Sequence, residues 1–268
     1  MKQNVSLKTK NNHGTREWAA KTVNCCTGCS HDCVYCYAKS MALRFGQVAD
    51  GQWGIERIRK HDVLRKHRKY PGRVMFPSSH DITPNNLPAC LQVLENLLKV
   101  GNEVLVVSKP HLDCIRAICQ QFEGYRGKIL FRFTIGARDD RVLSMFEPNA
   151  PGYQERKASL EYAHGHGFQT SVSVEPMLDP ANIDDLIADL LPFITDAIWI
   201  GKMNYIGRLY SKVDPEVQAA LKAIENAQTD EIIRAIYARH RHNPKIKWKK
   251  GIKKVVGIPL APKPGMDI

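Results

Sequence analysis

The chain has 268 residues, 39 Lys and Arg against 27 Asp and Glu, a formal charge of +12, and 43% hydrophobic residues. That length can bury a substantial core, and the ordinary apolar content argues against a disordered or fibrous chain. No apolar run approaches the roughly 18 residues of a membrane span, and Met1 to Lys10 lacks the apolar block of a secretory signal, so no membrane association and a cytoplasmic location are expected.

Residues 1–20 are polar and basic, with Asn11-Asn12-His13-Gly14 as a turn, and read as an N-terminal arm. Lys21 to Cys25 is a short strand candidate that delivers the densest chemistry in the chain: five of the eight cysteines fall between Cys25 and Cys36. Cys29, Cys33 and Cys36 are spaced Cys-x3-Cys-x2-Cys, close enough for one loop to wrap its thiolates around a metal centre. Adding Cys26 gives four thiolates, the donor set of a closed structural zinc site. Without it, three thiolates suit an iron-sulfur cube with one iron left open to a small molecule. A disulfide framework is the third option, disfavoured by a chain of this length without a secretory signal. Cys90, Cys114 and Cys119 lie in apolar surroundings and read as small buried residues.

Tyr37 to Phe45 has helix-favouring Ala, Leu and Met. Eight Lys or Arg between Glu56 and Arg73, interrupted by Ile58 and Val63-Leu64, predict an amphipathic helix with one basic face, solvated or in contact with nucleic acid. Strands follow at Arg73–Pro77, Glu103–Lys109, Lys128–Ile135, Phe168–Val174 and Ala197–Ile200, alternating with helices at Leu87–Val100, Leu112–Phe122, Gln154–Gly165 and Ile183–Leu191. Six strands alternating with helices imply a parallel α/β sheet with right-handed crossovers, either a partial barrel or a doubly wound sheet. In both, the ligand belongs at the carboxyl ends of the strands, where the cysteine loop, Ser78, Lys109, Thr134 and Glu175 emerge.

After Tyr205 the alternation stops, and Pro215–Ala227 and Thr229–His240 read as two helices. From Arg239 to Lys254 there are eight Lys or Arg and no acid, with Trp248 among them. Such a segment suits a surface that follows phosphates and stacks bases, or a tail whose tryptophan packs on the sheet. The expected division is an arm (1–20), a central domain (21–205) and a helical, basic extension (206–268).

Cys29-x3-Cys33-x-Tyr35-Cys36, with its aromatic residue before the last cysteine, resembles the signature of the radical S-adenosylmethionine (radical SAM) superfamily. Phe146-Glu147-Pro148-Asn149-Ala150-Pro151 followed by Glu155-Arg156 resembles the branch that contains spore photoproduct lyase. The resemblance covers about residues 21–205 and implies an open (βα)6 partial barrel. It implies that Cys29, Cys33 and Cys36 ligate a 4Fe-4S cluster whose fourth iron binds SAM. One electron then cleaves SAM to a 5'-deoxyadenosyl radical that abstracts hydrogen from a substrate. By the same resemblance Tyr35 lies against the adenine, Ser78 and Ser79 contact the methionyl amino group, and Lys109 pairs with the methionyl carboxylate. Thr134 and Glu175 are candidates for the methionyl or ribose groups, and His80 and Asp81 for orienting SAM or substrate. His31 and Asp32 read as loop-shaping, and Cys25 and Cys26 have no counterpart in the signature. No catalytic residue of the chain itself is singled out. A flavodoxin or ferredoxin is the expected one-electron reductant. Spore photoproduct lyase returns hydrogen from a cysteine near the end of the second strand, but Phe76-Pro77-Ser78-Ser79-His80 has none, so thymine photoproduct repair is not expected. The basic charge favours a nucleic acid or nucleotide substrate; modification of a protein or small molecule, and a zinc-stabilised non-catalytic nucleic-acid-binding protein, are the alternatives.

Overall fold

A computed structural model describes residues 14–266; the arm predicted at its first thirteen positions lies outside them. In chain order the strands are β1 (Lys21–Thr22), β2 (Cys26–Thr27), β3 (Arg57–Ile58), β4 (Val74–Phe76), β5 (Val104–Ser108), β6 (Ile129–Thr134), β7 (Gln169–Val174), β8 (Ile198–Ile200) and β9 (Ile246–Trp248). The helices are α1 (Tyr37–Arg44), α2 (Lys60–Val63), α3 (Leu87–Leu98), α4 (Leu112–Gln121), α5 (Asp140–Phe146), α6 (Tyr153–Gly165), α7 (Ile183–Leu190), α8 (Pro215–Asn226), α9 (Asp230–His240) and α10 (Lys250–Val256). Seven strands form one parallel sheet in the order β1-β4-β5-β6-β7-β8-β9, an open partial barrel with β1 and β9 as its edges. No described helix is long and apolar enough to cross a membrane.

Alternation along the strands assigns their two faces. Val74, Phe76, Val104, Val106, Ile129, Phe131, Phe133, Val172 and Val174 point outward into the main core beneath the helices. Helix α3 meets them with Cys90, Val93, Leu94, Leu97 and Leu98, the i, i+3, i+4, i+7, i+8 stripe of a half-buried helix. Each such fully buried side chain contributes about 1.5–3 kcal/mol through removal from water. On the other face Met75, Leu105 and Leu130 stand in register on β4, β5 and β6, and pack with Trp199 of β8 and with Trp18 from the segment before β1. Trp18 thus fills the concave side below the strand ends.

The structure corrects four expectations. The helix predicted between Glu56 and Arg73 does not form; the segment holds only β3 and α2, and 64–73 carries no regular structure. Of its aliphatic residues only Val63 enters the core, while Leu64 is 72% exposed. The strand predicted at Lys21–Cys25 ends at Thr22, and Cys26–Thr27 turns away to pair antiparallel with β3. The segment between β6 and α6, left without structure by the sequence reading, contains α5, whose N-terminal N–H of Arg141 is capped by the Asp139 carboxylate at 2.8 Å. Finally, β9 lies inside the basic run assigned to the extension. It pairs with β8, and Trp248 is buried edge-on to Tyr237 rather than offered as a stacking platform.

Candidate active site

The cysteine loop is held from four sides. Gly28 adopts φ +91°, and a Cβ there would come within 2.3 Å of the Ile55 carbonyl oxygen, so this residue lets the loop lie directly on the chain at Trp53–Ile55. The N–H of Cys29 then donates to the Trp53 carbonyl at 2.9 Å. Ser30 donates through its N–H and its hydroxyl to Glu56, at 3.0 and 2.9 Å. His31 is fully buried, with Nδ1 2.9 Å from the Asp81 carboxylate and Nε2 2.9 Å from His111, and Asp32 (φ 44°) pairs with Lys39 at 2.8 Å. The loop-shaping role expected of His31 and Asp32 is therefore visible in their contacts. On the far side the Val34 N–H donates to the Phe146 carbonyl at 2.9 Å, and the Tyr35 hydroxyl donates to Glu147. Glu147 is in turn ion-paired with Arg156 at 2.6 Å, both side chains being fully buried. The Glu-Pro-Asn-Ala-Pro segment and its following arginine are thus a brace behind the loop.

Cys29, Cys33 and Cys36 line one cavity of about 680 Å³ at the carboxyl ends of the strands. Tyr35, Ser78, Ser79, Lys109, Thr134 and Glu175 line it as well, so the folded chain brings every residue of the expected cofactor site to one space. His80 and Asp81 join them. Cys36 caps α1, its sulfur accepting the Lys39 N–H at 3.3 Å, which places a helix N-terminus against a sulfur that metal binding requires as thiolate. Cys26 is buried outside the lining, its thiol directed at the Thr27 and Gly28 carbonyls at 3.5 and 3.7 Å. Cys25 is likewise outside it, 3.9 Å from both Cys90 Sγ and His80 Nε2. A hydrogen bond from Cys90, against the opposing effect of burial, brings the Cys25 pKa down to about 5.

No family model matches this chain. Over 205 residues it is 25% identical to an uncharacterized protein, ORF301, of Acidianus two-tailed virus, the match covering 72% of this chain and 66% of that protein, just under two thirds of its length. Among solved structures, a spore photoproduct lyase variant with bound AdoMet and dinucleoside spore photoproduct superposes with a TM-score of 0.54 at 15% identity, covering 85% of this chain and 75% of that one. The chain has the fold of spore photoproduct lyase. Streptococcus suis SuiB bound to the precursor peptide SuiA gives the same TM-score, 0.54, at 10% identity over 90% of this chain and 51% of SuiB.

Within this fold the three thiols are buried, with Lys109 the cation that acts on all of them. Burial pushes the Cys33 thiol up to about 12 despite the opposing pull of Lys109, and burial also raises Cys29 and Cys36. A bound metal centre would supply the positive charge that thiolates in such a place require. The donors fit a three-thiolate group with an open side toward the cavity. A closed four-thiolate site does not fit, because Cys26 faces backbone carbonyls. Cys29, His31 and Asp81 also place ligand atoms within 4.8 Å of one another. Both His31 nitrogens already have partners, however, and the Asp81 oxygens receive the Lys109 N–H at 2.8 Å, the Ser108 hydroxyl at 3.0 Å and the Lys109 ammonium at 3.4 Å.

The Lys109–Asp81 pair sets a pH dependence. Burial alone raises a carboxyl pKa, but Lys109 and then His31 outweigh it and hold Asp81 well below its ordinary value. Asp81 therefore contributes stability fully above about pH 4, the ordinary carboxylate value, and loses it as pH falls through its lower folded value. Lys109, raised by Asp81 against the lowering effect of burial, contributes fully below its ordinary value and loses that only as pH rises through a still higher one. Asp81→Asn is expected to cost roughly 3–5 kcal/mol at neutral pH by leaving Lys109 buried and unpaired. In urea unfolding across pH, the gap between wild type and variant should narrow below about pH 4; a constant gap would refute the assignment.

Three contributors escaped the sequence reading. Asn24 accepts the Ser78 and Ser79 N–H groups at 2.7 and 2.9 Å and donates to the Ser78 hydroxyl at 2.9 Å, fixing the turn at the end of β4. Lys249, at the end of β9, lines the cavity between Glu17 (3.1 Å) and Glu175 (3.3 Å), with its ammonium 3.8 Å over the Trp18 ring. Trp18 lines it too. A basic run and a polar arm were the only sequence signals for the last two, and neither pointed inward.

Proposed function

We propose that the chain is a radical SAM enzyme in which Cys29, Cys33 and Cys36 hold a 4Fe-4S cluster and SAM occupies the adjoining cavity. The observation that carries this is the convergence of three thiols, and only those three of the five in the loop, on a cavity also lined by Tyr35, Ser78, Ser79, Lys109, Thr134 and Glu175. When bound, the cluster and SAM supply one-electron cleavage of the sulfonium and a 5'-deoxyadenosyl radical that takes hydrogen from a substrate.

The chain's own residues bind and orient. Tyr35, its hydroxyl held by Glu147 and its ring 5.7 Å from the Lys109 ammonium, presents a fixed aromatic face to the adenine. Ser78 and Ser79, set by Asn24, offer oxygens to the methionyl amino group, and Lys109 offers a cation to the methionyl carboxylate. Thr134, at the end of β6, and Glu175, beyond β7 beside Lys249, hydrogen-bond the methionyl or ribose groups, a reading supported by their place in the cavity lining. The substrate is a nucleic acid or nucleotide, a reading supported by the +12 charge. A flavodoxin or ferredoxin delivers the electron, and a reducing, cytoplasmic compartment suits the free thiols.

Anaerobic reconstitution with iron and sulfide, followed by dithionite and SAM, should give a brown protein that forms 5'-deoxyadenosine. A colourless protein holding one zinc and no iron would overturn the reading.

A further inference from the structure

The two basic runs meet different fates in the fold. In the C-terminal run Arg239 pairs with Asp184 at 2.9 Å, Lys245 donates to the Ile194 carbonyl at 2.6 Å, and Lys249 is buried between Glu17 and Glu175. Lys247 and Lys253 stand over the Trp199 ring at 5.6 and 5.9 Å. Most of that charge is engaged inside the protein.

The run after β3 is the reverse. Lys60, Arg65, Lys66 and Lys69 are exposed, and among the described residues none of their side chains makes an ion pair or hydrogen bond. The one carboxylate in the run, Asp62, is taken by Arg59, which also donates to the Cys26 and Asn24 carbonyls at 2.7 and 2.9 Å. Residues 65–73 can span at most about 30 Å at ~3.3–3.6 Å per residue, the reach of several nucleotides rather than one. The run borders a second cavity, of about 190 Å³, lined by Lys21, Asn24, Arg59, Arg65 and His67, with Asp62, paired to Arg59, as its one acid. Asn24 is the residue whose side chain holds Ser78 and Ser79, so the small cavity backs onto the wall of the large one. Apolar side chains stand exposed among these cations, Leu64 and Ile58 most clearly, and two exposed tyrosines, Tyr37 and Tyr205 (φ 60°), line the large cavity.

We propose that Lys60, Arg65, Lys66 and Lys69, with the small cavity beside β1, dock the phosphodiester backbone of a single-stranded polynucleotide and lead it toward the large cavity. This rests on the nucleic-acid reading of the function and makes the substrate a polymer. Lys60 at the start of α2 and Arg65, Lys66 and Lys69 on the irregular segment after it are exposed cations that release counterions from neighbouring phosphates. The exposed aliphatic and tyrosine side chains reach base faces only where bases are unpaired, because a duplex stacks those faces away.

The test is fluorescence anisotropy of the reconstituted protein with labelled oligothymidylate, oligouridylate and a hairpin duplex. The combined variant Lys60→Ala, Arg65→Ala, Lys66→Ala, Lys69→Ala is compared with the control Arg241→Ala, Lys254→Ala, also exposed but on the C-terminal run. The combined variant should lose at least about tenfold in affinity for a single strand at low salt, with its salt slope shallower by about 0.7 per phosphate contact removed. The control should bind as wild type, and SAM affinity by calorimetry should be unchanged in both variants. Preference for oligothymidylate assigns DNA, and preference for oligouridylate assigns RNA. Wild-type binding by the combined variant, tighter binding of the duplex, or loss confined to the control overturns the proposal. Failure to form 5'-deoxyadenosine while the variants still separate as expected would remove the enzymatic reading and leave the docking surface standing.

Discussion

Replacing Cys29, Cys33 or Cys36 by alanine should each abolish the cluster after anaerobic reconstitution and reduce 5'-deoxyadenosine to background, whereas Cys26→Ala should keep both. The four cysteines are near neighbours in sequence and equally able, on spacing, to ligate. The structure separates them: the first three line the cavity, and the Cys26 thiol is directed at the Thr27 and Gly28 carbonyls. A three-thiolate cluster would have no spare protein ligand, so removing any one would leave a second iron without its terminal ligand. Cys26→Ala removes only a small buried side chain whose thiol is kept neutral by burial, which raises it to about 12. Iron and sulfide content with visible absorbance reads the outcome. Retention of full iron by Cys33→Ala, or its loss in Cys26→Ala, would reverse the ligand assignment.

Arg156→Met should destabilise the protein by about 3–5 kcal/mol, because it leaves the fully buried Glu147 carboxylate without its cation. The guanidinium does more than neutralise. It donates to the Pro151 carbonyl at 2.6 Å and to the Thr134 carbonyl at 3.2 Å, tying the brace behind the cysteine loop to the end of β6. Since Glu147 also holds the Tyr35 hydroxyl, the same substitution should weaken SAM binding measured by calorimetry at a temperature where the variant remains folded. The double variant Glu147→Leu, Arg156→Met should recover much of the lost stability, because a buried pair replaced by apolar side chains leaves no charge stranded. Urea unfolding of the wild type and both variants decides this. An unchanged midpoint for Arg156→Met would mean that the pair is not the brace described.

Much of the scaffold was legible locally. The apolar run 104–108 announces a strand buried on both faces, and the repeat along α3 announces a helix. Errors fell where local pattern had no partner to answer it. In the basic segment after Glu56 the fold takes up Val63 but leaves Ile58 and Leu64 in solvent, and the helix is limited to Lys60–Val63. Strand β9 is three residues with a lysine at its centre, too short to signal itself, and exists because β8 leaves an edge for it to pair with. Trp248 follows β9 into the interior, and with it goes the case for a C-terminal stacking surface.

By itself the sequence determined whatever depends on neighbours a few residues apart: three thiols within one short loop, the alternation of strands and helices, and the strand ends at which Ser78, Lys109, Thr134 and Glu175 fall. Only the tertiary structure decided which thiols face the cavity, that Glu147 and Arg156 brace Tyr35, that Lys249 returns from the far end of the chain to stand beside Glu175, and which basic run is left free for a partner. The reason is separation along the chain. Tyr35 and Glu147 are 112 residues apart, and Lys249 meets the Gly14 carbonyl across 235. Contacts over such distances are set by how whole elements pack, which no local spacing encodes.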